Sequence, residues 1–79
     1  MFNQTIVENE LSKRSKHIVR FSYETYASDD FFIYRKVLVD NRDTNIKVAL
    51  DQLQSAHACG TLEQKYEELL SQINKHTNL

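Results

Sequence analysis

The chain has 79 residues, a length for one small domain with a single core. Ten basic and eleven acidic residues leave a net charge of −1, and 41% of the residues are hydrophobic; that balance is globular rather than disordered and weighs against whole-molecule attraction to nucleic acid. One glycine, one cysteine (Cys59) and no proline exclude an intramolecular disulfide and the glycine-rich loops that cradle nucleotide phosphates, and they predict mostly regular structure.

In chain order, "TIVE" (Thr5 to Glu8) has the spacing of a capping box. It precedes a short helix expected over residues 6–16, whose apolar stripe is only Ile6, Val7 and Leu11. Lys13, Arg14 and Lys16 fall in its last turn, where cations complement the exposed carbonyls, and Glu10 precedes Arg14 by four. In "HIVRFSYETY", Val19, Phe21, Tyr23 and Thr25 share one face while Arg20, Ser22 and Glu24 share the other. That period of two predicts a half-buried strand with Phe21 and Tyr23 turned inward. "ASDD" is a turn by composition. "FFIYRKVLVD" then reads as a second strand, completing a β-hairpin over residues 17–40. Phe31, Ile33, Val37 and Val39 lie on one side; Phe32, Tyr34 and Leu38 lie on the other. The competing reading of this segment is a helix capped by Ser28, with Asp29 and Asp30 in its first turn, and it leads to an all-α bundle. The β-branched Ile33, Val37 and Val39 favour the strand.

Residues 44–75 read as a helix pair. Ile46, Leu50, Leu53 and His57 follow a 4-3-4 spacing, with Ala49 and Ala56 alongside, which predicts a helix over residues 45–58. Gly60 suits a left-handed helix end. "TLEQ", from Thr61 to Gln64, has the capping-box spacing, and Leu62, Tyr66, Leu69 and Ile73 repeat the helical stripe, widened by Leu70. The expected fold is a single α+β domain over residues 1–79 in the order α-β-β-α-α.

Few residues suggest chemistry. His57, Cys59 and His76 are too few and too poorly spaced for a zinc site. Asp29 with Asp30, and Asp40 with Asp43, sit at predicted turns or helix starts, where Asp serves local hydrogen bonding. Cys59 has no oriented base. The expectation is a noncatalytic chain with no cofactor or metal. No apolar run is long enough for a signal peptide or a membrane span, and a lone thiol suits a reducing compartment, so a cytoplasmic location is expected.

What remains is binding. A two-stranded sheet is marginal alone, and three helices cover one of its faces more easily than both. Phe32, Tyr34 and Leu38 are then left seeking another surface, either a protein partner or a second copy in a homodimer. Small, plain, cofactor-free chains of this kind are similar to phage- or plasmid-type regulators and inhibitors of host machinery, which act by occupying a surface of a larger protein.

A second reading rests on "RKVLVD…IKVALDQLQSAHACGTLEQKYEELLSQI". Strand, helix, glycine and capped helix over residues 35–74 resemble the ribbon-helix-helix DNA-binding proteins. The resemblance implies a dimer in which this strand pairs with its mate and presents alternate side chains to the major groove. The outward set would be Arg35, Val37 and Val39, or Tyr34, Lys36 and Leu38. On that reading Lys13, Arg14, Lys16, Arg20, Arg35 and Lys36 contact phosphates. The protein-partner reading takes precedence, because neither outward set is polar enough to read bases.

Overall fold

The computed structural model describes residues 2–27 and 33–78. They form α1 (Gln4–Ser15), β1 (Val19–Ala27), β2 (Ile33–Val39), β3 (Arg42–Ala49), α2 (Leu50–Cys59) and α3 (Leu62–Thr77). The strands make one antiparallel meander in the order β1-β2-β3. The α+β class and the succession of helix, hairpin and helix pair are as expected, and the all-α alternative is excluded because residues 33–39 are a strand. The expected turn at residues 28–30, and with it Phe31 and Phe32, lies outside the described residues.

The helix expected over residues 45–58 begins only at Leu50. Ahead of it, Thr44, Ile46 and Val48 are buried while Asp43, Asn45 and Lys47 are exposed, the alternation of a strand covered on one face. Here β-branched residues at period two prevail over the helical spacing of Ile46 and Leu50. The turn into β3 is Asp40-Asn41, with φ of 52° and 65°. Two successive left-handed residues are what a tight I′ hairpin demands, and Asp and Asn tolerate that region better than other side chains.

Both hairpins are bulged beside the middle of β2. Phe21 pairs with Val37 and Thr25 with Arg35, so residues 22–24 face Lys36 alone. Lys36 pairs with Lys47 and Leu38 with Asp43, so residues 44–46 face Val37 alone. The Thr44 hydroxyl fills the second gap, donating to the Val37 carbonyl (2.6 Å) and accepting from the Ile46 N–H (3.1 Å).

Val19, Phe21, Val37, Val39, Ile46 and Val48 bring one sheet face into the core, where they meet Val7, Leu11, Leu53, Tyr66, Leu69 and Ile73 from the helices. Burying each such side chain is worth about 1.5–3 kcal/mol. In α3 the expected stripe holds, with Leu62 and Leu70 half-buried at its margins; in α2 only Leu53 and Ala56 are buried and Leu50 half-buried, while His57, expected on the stripe, is exposed and Ile46 and Ala49 belong to β3. Gly60, at φ 75°, closes α2: its N–H bonds to the His57 carbonyl and the Thr61 N–H to the Ala56 carbonyl, the Schellman arrangement. Thr61 precedes α3 but does not form the expected capping box; its hydroxyl turns back to the Ala56 carbonyl.

α1 departs from its expected cap as well. Asn3, not Thr5, caps the helix, its Oδ1 accepting the Ile6 N–H at 3.0 Å. That frees Glu8 for another task. β1 is an edge strand, and α1 lies along its outer side. The Glu8 carboxylate, only 7% exposed, accepts the Phe21 N–H at 2.7 Å. The Ser12 hydroxyl accepts the Val19 N–H at 2.8 Å and lies 3.2 Å from the Val19 carbonyl. Two side chains of a helix thus serve the backbone that another strand would otherwise have served.

Candidate functional site

The six basic residues proposed for phosphate contact do not form one surface. Arg14 joins α1 to α3. Its guanidinium takes both carboxylate oxygens of Glu63 (2.9 and 2.6 Å), its Nε donates to Glu10 (2.6 Å), and it stacks 4.8 Å above the Tyr66 ring. These hydrogen bonds raise the Arg14 pKa further and hold the Glu63 carboxyl below the usual carboxylate range. Burial raises the Tyr66 hydroxyl, with the Glu10 carboxylate adding to the shift. Arg35 donates to the Gln4 side chain at 2.6 Å, Lys36 to Asp43 at 3.3 Å, and Arg20 to the carbonyl of Val19 at 3.0 Å. Lys13 and Lys16 are exposed and make no ion pair among the described residues. By strand alternation Arg35 falls on the sheet face opposite Lys36.

The ribbon-helix-helix arrangement is also not reproduced. The strand meant to pair with a mate, residues 35–40, coincides over 35–39 with the central strand and is paired on both sides within the chain.

Of the residues proposed for protein contact, two are described. Phe32 lies outside the described residues. Tyr34 and Leu38 are each half-buried but line different depressions. Tyr34 lies with Ala49, Leu53 and Leu69 where β3 meets α2 and α3, and Leu38 with Arg20 and Asn41 on the open sheet face. Asp43, Asn45 and Lys47 are exposed on that face, so it is more polar than the sequence suggested.

The depression around Leu38 is the strongest candidate. It is a groove of about 590 Å³ between α1 and the open side of β1, lined among others by Thr5, Asn9, Arg20, Tyr23, Leu38 and Asn41. Tyr23 was expected inside and is instead 90% exposed. It sits in the bulge at residues 22–24, where β1 leaves its pairing with β2 and the ring is carried off the core face. Apolar Leu38, the Tyr23 ring and hydrogen-bonding Asn9, Asn41 and Arg20 therefore border one opening. The Tyr23 signal was concealed because a bulge depends on the partner strand, which the alternation of β1 alone does not report.

Elsewhere, His17 Nδ1 contacts Asp40 at 2.8 Å, and the second oxygen of Asp40 accepts the Ile18 N–H at 3.0 Å. The Ile18 N–H, then His17, hold the Asp40 carboxyl below the usual carboxylate range. His57 rests on the Phe2 ring, 5.6 Å between centroids, and Cys59 is exposed. No group of three or more metal-ligating side chains is assembled among the described residues, and no helix there is long and apolar enough to cross a membrane.

No family model matches the chain, and comparisons with curated proteins and with solved structures find no match. The groove must be read on its own chemistry.

Proposed function

We propose that this chain is a noncatalytic binding protein that regulates or inhibits a larger protein by occupying part of its surface, with the groove between α1 and β1 as the contact. The supporting observation is Tyr23. An aromatic ring held almost wholly in solvent by a bulge, beside an opening that contains Leu38, has the character of an interface anchor: much apolar area, a polar tip and little conformational entropy to lose. Asn9, Asn41 and Arg20 provide a hydrogen-bonding rim of the kind that surrounds such anchors.

The test is capture of protein from native lysate on the immobilised chain, at about 50 mM and about 500 mM salt, beside Tyr23→Ala and Leu38→Ser forms of unchanged fold. Capture through this groove persists at the higher salt and drops at least tenfold in either variant. Capture that is equal in both variants removes the groove from the reading. Retention of duplex DNA, falling steeply with salt and lost in a Lys13→Glu, Lys16→Glu chain, replaces the reading with the nucleic-acid one.

A further inference from the structure

We propose that two copies of the chain exchange α1, forming a domain-swapped dimer that pivots at Lys16. The connection from α1 to β1 is only Lys16, His17 and Ile18. Lys16 closes α1 with φ 62°, its N–H bonded to the Ser12 carbonyl. The left-handed region is costly for a side chain with a Cβ, and short strained connections favour exchange, because opening them relieves the strain while all other contacts are recovered on the second copy. Beyond Lys16 the connection is pinned: Asp40 holds the Ile18 N–H and contacts His17. The conformational change is therefore centred on Lys16, and opening it also releases the Ser15 hydroxyl from the His17 N–H (3.2 Å).

The fastening of α1 suits exchange. Its polar anchors are Glu8 to the Phe21 N–H, Ser12 to Val19, Gln4 to Arg35 and Arg14 to Glu63. All of them join α1 to the rest of the chain, and each is available unchanged from an identical neighbour. An undocked α1 leaves the Phe21 and Val19 amides of an edge strand unserved and the Glu8 carboxylate with only the Gln4 amide of its own helix as donor. The surface that satisfies all of these together is another copy's α1 or β1 edge. Exchange also rebuilds the groove from two chains, with Thr5 and Asn9 from one copy and Tyr23 and Leu38 from the other. The dimer does not depend on what the groove binds.

Lys16→Gly removes the strain of the closed form, and Lys16→Val increases it. Sedimentation velocity across a concentration series is expected to show the dimer weakened by Gly and strengthened by Val, about tenfold per hinge in each direction. A second experiment mixes Arg14→Glu chains with Glu63→Arg chains. Within either variant positions 14 and 63 carry like charges, whereas in an exchanged heterodimer both junctions carry opposite charges. The mixture should sediment at twice the 9.3 kDa chain mass. A mixture that stays at the single-chain mass, or Gly and Val forms that distribute alike, overturns the proposal. If either charge variant fails to fold, the Lys16 pair decides alone.

Discussion

Glu8 has two neighbours that matter, one visible in sequence and one not. Its spacing from Thr5 suggests a local cap, yet its carboxylate serves the Phe21 amide thirteen residues on. Nothing local announces a partner reached only when α1 and β1 lie side by side. Replacing Glu8 by Ala leaves a buried N–H unserved and should cost about 1–3 kcal/mol, which at about 4–8 °C per kcal/mol for a chain of this size is visible in a thermal melt. Glu8→Gln keeps an acceptor oxygen and should recover most of the loss. Equal melts for the two variants would show that the Phe21 bond contributes little. Arg14 divides in the same way: its pairing with Glu10 is legible from the four-residue spacing, and its grip on Glu63 is not. Asp40, read from sequence as a turn residue, is one, and it also ties the turn to the start of β1. Because its folded-state pKa is depressed, the stability it adds is complete above the ordinary carboxylate pKa and is lost as pH falls below about 4. An Asp40→Asn chain should therefore lose less stability than the natural chain between neutral and acid pH, measured by urea unfolding at each pH. Parallel losses in the two chains would assign the acid sensitivity elsewhere.

Among the elements, α3, the start of β1 as far as Phe21 and the Gly60 junction follow patterns written in consecutive residues and were legible from them. β3 was not, although its alternation is plain once seen: Thr44, Ile46 and Val48 inward, Asp43, Asn45 and Lys47 outward. The same Ile46 begins a 4-3-4 series with Leu50, Leu53 and His57, so two periods overlap at the strand–helix boundary. The longer series is the more conspicuous, and it concealed the shorter one. Only pairing with β2 decides between them, and that pairing is itself interrupted by the bulge that Thr44 fills. Thr44→Val keeps the shape and removes the hydroxyl from both the Val37 carbonyl and the Ile46 amide, so about 1–3 kcal/mol of destabilisation is expected in chemical unfolding. Thr44→Ser retains the hydroxyl and should lose less. A serine form as unstable as the valine form would mean that the methyl group, not the hydroxyl, is what the bulge requires.

For the molecule as a whole, overlooking β3 changed the expected surface. A two-stranded hairpin under three helices has an apolar face to spare, which is what singles out Phe32, Tyr34 and Leu38 in the sequence. The third strand adds Asp43, Asn45 and Lys47 to the open side and carries α2 and α3 over the other, so among the described residues Leu38 sits half-buried in a largely polar surface. The radius of gyration, 12.0 Å, is close to the roughly 11.6 Å expected of a compact chain this long. Cover for the sheet at this size therefore comes from a third strand and a helix laid against the sheet's edge. Recognition, on the proposed reading, falls to one raised tyrosine beside a groove.

The edge contact has a geometric limit. Four residues of helix advance about 6.0 Å and two residues of strand about 6.7 Å, so successive helical side chains fall behind successive outward amides by about 0.7 Å at each step. Over two rungs, Glu8 and Ser12, that mismatch is a small fraction of a hydrogen-bond length and the side chains absorb it; each further rung adds to it. Gln4, next in the series, is turned to Arg35 and Glu8 instead, and there β1 swells outward and lifts Tyr23 into water.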